Sequence, residues 1–195
     1  MPNLKDMNNI VMGAWLVLVL FWFLSAIDVK RDIRKATGLR GRSLTLVRLI
    51  VALALTYFFP AVTTKIFGQS RTTPQDVTMR TAGLVLVLAG IALAIWARSH
   101  LGKNWSSHPA LKENHELITT GPYGTIRHPI YTGVLAAFVG SVFATMDAFW
   151  VYLFVLMAIT FVHRINIEEE IMMQTFPDTY PAYRSRTKAL IPFIW

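Results

Sequence analysis

Fifteen consecutive uncharged residues, AFWVYLFVLMAITFV (148–162), run without a break into HRINIEEEI (163–171). A segment of that length and character has to be kept from water, and it is one of five. The others are residues 9–27, residues 44–66 (interrupted by Arg48 and Pro60), residues 80–97 and residues 130–146. Each approaches the ~20 residues that a helix needs to cross a hydrocarbon core of ~30 Å. Composition agrees: 54% of the chain is hydrophobic and 15% charged, with mean hydropathy +0.45, against about 25% charged in soluble domains. The expectation is an all-α, polytopic integral membrane protein of about five spans. The last two are joined only by MDA (146–148) and form a tight helical hairpin.

Basic residues set the expected orientation. Lys30, Arg31, Arg34, Lys35, Arg40 and Arg42 lie between spans one and two. Arg98, Lys103, Lys112 and Arg127 lie between three and four, and Arg164, Arg184, Arg186 and Lys188 follow span five. The other side carries only Lys5, Lys65, Arg71 and Arg80. The amino terminus is therefore expected outside and the carboxyl terminus in the cytoplasm. The first span lacks a basic leader and a small-residue cleavage site, so it reads as a retained span. The chain divides into residues 1–97, three spans and a basic loop, and residues 98–195, a cytoplasmic loop, the hairpin and a cytoplasmic tail. The net charge of +8 is accounted for by this bias and by anionic headgroups. No basic stripe with interleaved aromatics suggests nucleic acid. The lipid bilayer is the expected partner, and the compact form suits a prokaryotic plasma membrane. With no cysteine, disulfides, thiolate nucleophiles and thiolate metal sites are excluded.

The unusual residues gather in the two larger cytoplasmic segments. His100, His108, His115 and His128 fall in the first. They show no H-E-x-x-H, no i, i+4 pair and no Glu-x-x-His pattern, so no metal site is expected. TTGPYG (119–124) is a turn by its chemistry. Pro129 can open a helix, whose free N–H groups, with Arg127 and His128 just before, can hold an anion. The last helix is expected to run on past the bilayer edge and stop before Pro177. That puts Arg164 and Glu168 four apart on one face. They are either a structural ion pair or a site for charged ligands. Glu169 and Glu170 read as a solvated face.

GPYGTIRHPIYTG (121–133), followed after the hairpin by RINIEEE (164–170), the pair Tyr180 and Tyr183, and Pro192, resembles the isoprenylcysteine carboxyl methyltransferase family of integral membrane enzymes. The resemblance covers roughly residue 100 to the end. It implies S-adenosylmethionine as cofactor, bound by the cytoplasmic half without a Rossmann domain. It implies cofactor contacts at His115, Glu116, Leu117 and Ile118, at Tyr123, at Arg127, His128, Pro129, Ile130 and Tyr131, and at Glu168; a looser match adds His108. Arg164 would meet the substrate carboxylate, with Arg164 and Glu168 the catalytic pair. The substrate would be a prenylated peptide or a lipophilic small molecule.

The chemistry suits those residues. A carboxylate is ionised at pH 7, so its methylation needs no general base. It needs alignment and a dry site, and a guanidinium can orient the acceptor by paired hydrogen bonds. Two other acceptors or reactions stay open: methylation of a phospholipid or other lipophilic amine, which Arg164 would repel, and an NADPH-dependent sterol-type reduction. A lipid-binding protein without catalysis is the third.

Overall fold

The computed structural model describes residues 4–26, 32–35, 74–105, 110–112, 116–147 and 149–191. Span two (44–66), His108, His115 and Pro192 lie outside the described residues. Five helices carry the architecture described: α1 (Leu4–Ser25), α2 (Pro74–Leu101), α3 (Pro129–Thr145), α4 (Phe149–Thr175) and the short α5 (Tyr180–Arg186). Single 3-10 turns follow α2 at Gly102–Asn104 and precede α3 at Gly121–Gly124. One feature departs from the all-helical expectation. A small antiparallel ladder joins β1 (Asp32–Lys35) to β2 (Ala110–Lys112), with a register shift between Asp32 and Arg34. It ties the basic loop after α1 to the loop after α2. Neither three- or four-residue piece has a periodic signature long enough to stand out in the sequence.

Among the described residues, three helical segments are long and apolar enough to cross a membrane: Asp6–Ser25, Val77–Asn104 and Phe149–Thr175. The expected fourth span, α3, is apolar but shorter, at 17 residues, or about 26 Å at 1.5 Å per residue. Its ends follow local chemistry. Pro129 occupies the first turn, where a missing N–H does no harm. At the other end Met146 adopts a left-handed conformation (φ 53°) and donates its N–H to the Val142 carbonyl. The Asp147 carboxylate then accepts the Phe149 N–H at 2.9 Å, capping the start of α4. The hairpin is thus closed by three residues, as its sequence suggests. α4 runs unbroken through HRINIEEEI and ends at Thr175, two residues before Pro177, where the proline's neighbour disfavours helical geometry.

Glycine brings α2 and α3 into backbone contact. Gly83 and Gly90 on one helix meet Gly140 and Gly133 on the other. A β-carbon at Gly133 would lie 2.5 Å from the Gly90 carbonyl oxygen and 2.7 Å from the Ala94 nitrogen. One at Gly140 would lie 2.6 Å from the Val87 nitrogen. Small residues at such spacing let helices pack by van der Waals contact where lipid supplies no hydrophobic drive. The small-residue run GVLAAFVGS therefore packs within the chain. α1 docks on this pair through Val11 and Leu18 and through Trp15, whose Nε1–H donates to Ser141 Oγ at 3.0 Å. Arginines close both ends of the packing. Arg80 donates to the Ala144 carbonyl near the end of α3 at 3.1 Å. Arg98, 3% exposed, donates to the Ser25 carbonyl at 2.5 Å and the Gly102 carbonyl at 2.9 Å. Each satisfies carbonyls that a helix end leaves without partners.

Replacing Gly133 with Val would force the two backbones apart. It is expected to cost more than the ~1–3 kcal/mol of ordinary overpacking and to lower the melting temperature in detergent sharply. Gly13→Ala, with no described atom within 4 Å of the added carbon, should leave the melting temperature nearly unchanged.

Candidate active site

The chain's last described segment is strapped across the start of α3. Arg127 and His128 donate their backbone N–H groups to the Lys188 and Ala189 carbonyls at 2.8 and 3.0 Å. Thr132 Oγ1 donates to the Leu190 carbonyl at 2.7 Å. The backbone N–H groups just before α3 thus serve the strap.

Glu169 anchors the strap, and this corrects an expectation. It was expected on a solvated face, yet it is 7% exposed. Its Oε1 accepts from Arg127 Nε at 2.7 Å, and its Oε2 lies 3.1 Å from Arg184 Nε. The same Arg127 guanidinium donates from Nη1 to the carbonyls of Thr187 (2.5 Å) and Arg184 (3.2 Å), at the end of α5. Arg127 is thus a keystone joining the turn before α3, the last two turns of α4 and the end of α5. Glu170 is exposed, as expected.

The TTGPYG turn is seated by its neighbours. Gly121 has φ 58°, and a β-carbon there would come within 2.8 Å of the His100 ring. His100 Nε2 lies 2.9 Å from Thr120 Oγ1. Tyr123, buried, donates to the Ala97 carbonyl at 3.3 Å and accepts Tyr183 O–H at its own carbonyl at 2.7 Å. Burial pushes the Tyr183 phenol up to about 12 and raises those of Tyr123 and Tyr180 further. All three stay neutral donors at physiological pH.

Arg164 and Glu168 meet at one end of this assembly. Arg164 Nη2 lies 3.1 Å from Glu168 Oε1, the i, i+4 pair read from the spacing. Tyr131, reaching across from α3, donates its O–H to the same Glu168 Oε1 at 2.6 Å and accepts from Arg164 Nε at 3.0 Å. Its ring stacks on Phe161 (centroids 4.2 Å apart) and on His128 (5.5 Å, planes nearly parallel at 2°). The His128 ring bridges the two carboxylates at ion-pair distances, Nδ1 3.6 Å from Glu168 Oε2 and Nε2 3.5 Å from Glu169 Oε1.

These groups line a cavity of about 510 Å³. Of the residues expected at the site, Glu116, Leu117, Ile118, Tyr123, Arg127, His128, Ile130, Tyr131, Arg164 and Glu168 line it. Pro129 is fully buried at the helix start. Several lining residues had no assigned role in the sequence. Tyr180 and Tyr183 were visible as a motif, whereas Trp22, Asn104, Trp105, Met157, Phe161 and Met172 sit in apolar stretches or turns that nothing local marks. A second cavity of about 430 Å³, lined by Trp15, Leu18, Val19, Trp22, Phe23, Ala26, Trp105 and Val134, has apolar walls throughout. The two share Trp22, Trp105 and Val134. The arrangement sets the Arg164 cation and the Glu168 carboxylate side by side in a pocket whose remaining walls mix aromatic and aliphatic side chains with a few polar ones, as sites for small ligands do.

The model of the family described as phospholipid methyltransferase matches residues 78–179. The chain is 28% identical over 150 residues to the protein-S-isoprenylcysteine O-methyltransferase of Saccharomyces cerevisiae, covering 75% of this chain and 60% of the yeast protein. Over 118 residues it is 31% identical to the protein of the same name in Schizosaccharomyces pombe (59% and 50% covered). Over 115 residues it is 29% identical to protein-S-isoprenylcysteine O-methyltransferase B of Arabidopsis thaliana (57% and 58%). It thus spans half to three fifths of the length of these relatives. In fold it is similar to a eukaryotic intramembrane Ras methyltransferase, an isoprenylcysteine carboxyl methyltransferase. That match has a TM-score of 0.54 and 23% identity, and covers 82% of this chain and 55% of the other.

Arg127→Met is expected to cost about 3–5 kcal/mol, because it leaves Glu169 buried with only part of its compensation. Limited proteolysis should show it first, as faster cleavage within residues 180–191 while α1 to α4 stay intact.

Proposed function

Because the chain belongs to the phospholipid methyltransferase family, matched over more than half of its length, we propose that it is an S-adenosylmethionine-dependent methyltransferase acting on the carboxylate of an isoprenylated cysteine or a related lipophilic acid. The observation that carries this reading is the cavity in which Arg164 and Glu168 stand together beside an apolar chamber.

The cavity suits the cofactor. Its aromatic and aliphatic lining can cover an adenosine, and Glu168 offers a carboxylate to a positively charged ligand. When bound, S-adenosylmethionine supplies a methyl group on a sulfonium, which an acceptor oxygen takes as the carbon–sulfur electrons return to sulfur. The protein's own contribution is placement. Arg164 holds an acceptor carboxylate by charge-assisted hydrogen bonds. Glu168 balances the guanidinium, limiting the cost of a charge in apolar surroundings. The tyrosines, neutral through burial, close the pocket without adding charge, and the walls keep out water that would solvate the nucleophile. The wholly apolar chamber takes the acceptor's hydrocarbon chain from the bilayer. By the distribution of basic residues, the site opens to the cytoplasmic face.

The family's description names a phospholipid, whose methylated group would be a headgroup amine. Arg164 disfavours it, since a cationic headgroup would be repelled by the guanidinium.

Calorimetry with S-adenosylhomocysteine on the purified protein in detergent, with NADPH as control, tests the reading. Micromolar binding, weakened on the order of tenfold by Glu168→Gln (about 1.4 kcal/mol), with no heat from NADPH, is the expected result. Binding of NADPH alone would sink the methyltransferase and favour a reductase.

A further inference from the structure

Tyr131 lies on the wall of the cavity, and its hydroxyl is already spent. A phenol has one proton and two acceptor lone pairs. The proton goes to Glu168 Oε1 at 2.6 Å, and Arg164 Nε donates to the oxygen at 3.0 Å. With that proton committed, no hydrogen is left to donate to a ligand.

Both partners sit on α4, whereas Tyr131 comes from α3. An isolated i, i+4 pair on one helix is a weak constraint, and two long side chains can swing together. A hydroxyl from another helix, bonded to both at once, removes that freedom. The tyrosine ring is itself stacked on both His128 and Phe161, and the Arg164 guanidinium carbon lies 5.7 Å from its centroid. The pinning is also asymmetric. Glu168 Oε1 takes Tyr131 and Arg164, while Oε2 turns to His128 Nδ1 at 3.6 Å.

We infer that Tyr131 is a positioning residue for the acceptor side of the reaction: its hydroxyl sets the aim of the Arg164 guanidinium through the three-way contact with Glu168, and it donates no hydrogen bond to the cofactor. The inference rests on the carboxylate-methylation reading above. It places the hydroxyl's contribution in acceptor binding and alignment, where small displacements of an orienting group are costly.

The test uses Tyr131→Phe, which keeps the ring stack and removes only the oxygen, with Arg164→Lys and the double variant beside it. Each is measured for S-adenosylhomocysteine binding by calorimetry and for methyl transfer to a farnesyl-cysteine analogue. Tyr131→Phe should keep the cofactor product's affinity within about threefold of the parent. It should raise KM for the acceptor or lower kcat, with kcat/KM down on the order of tenfold. In the double variant, Tyr131→Phe should add little to the loss caused by Arg164→Lys, since residues acting through one another are not additive. Losses that multiply in the double variant would overturn the inference. So would a Tyr131→Phe protein that loses S-adenosylhomocysteine tenfold while its acceptor KM is unchanged, because the hydroxyl would then serve the cofactor. A parent protein that binds S-adenosylhomocysteine and methylates a phospholipid amine in place of the analogue overturns the carboxylate reading and the inference with it. That result is distinct from either failure of the variant.

Discussion

The backbones of α2 and α3 touch, and most of the site follows from that contact. Gly90 and Gly133 face each other with no room for a β-carbon on either side. The crossing is antiparallel and repeats one heptad on, at Gly83 and Gly140. Tyr131 is two residues before Gly133, so the closeness at the glycines also sets how far Tyr131 stands from the end of α2. Ala97 and Leu101 on that end then meet Tyr123 and Ile118 of the intervening loop. A larger residue at either glycine would widen the gap and pull these walls apart.

On that apolar frame sits a group of charges that has to be compensated internally. Removing a carboxylate from water costs several kcal/mol unless it is paired and hydrogen-bonded. Glu169 meets the requirement with Arg127, Arg184 and His128, and Glu168 with Arg164 and Tyr131. The two neighbouring carboxylates divide the labour. Glu169 faces the strap and holds the last segment on the turn before α3. Glu168 faces the cavity and holds Arg164. His128 lies between them, so the structural group and the cavity-facing group share one ring. Hydrogen bonds are stronger in such low-dielectric surroundings, and an unmatched partner is correspondingly expensive. Arg98 shows the same economy on the other wall. It has helix-end carbonyls as acceptors and rests its guanidinium 4.4 Å from the Trp105 ring centroid.

Much of this was legible one-dimensionally. Apolar length marked α1, α2 and α4. Pro129 and Pro177 marked where a helix opens and where another has stopped. The four-residue spacing of Arg164 and Glu168 put them on one face. Ten residues named at the site line one cavity. The burial of Glu169 is not legible in the sequence, and for a clear reason. Adjacent glutamates differ by 100° around a helix, and composition does not reveal which direction faces protein. The partners that bury Glu169, Arg127 and Arg184, are 42 residues before it and 15 after it in the sequence, and no local pattern links them. Trp22 carries no mark because an aromatic in an apolar run gives the same signal whether it faces lipid or a pocket, and Trp105 carries none because nothing in the polar turn GKNWSS shows where its ring will go. The β1–β2 ladder is not legible either, because short pairings depend on what the chain brings together.

The sequence by itself determined that this chain is built of membrane-length helices, that its chemistry-bearing residues gather after residue 98, and which family it resembles. Those properties depend on length, local conformational preference and residue identity, all of which are written along the chain. Only the tertiary structure decided that Arg127 is a keystone, that Glu169 is interior, and that Tyr131 is bonded at once to Arg164 and Glu168. These are properties of distance between segments far apart in sequence. They are set by how closely two glycine-faced helices can approach, and by the need of every buried charge to find a partner there.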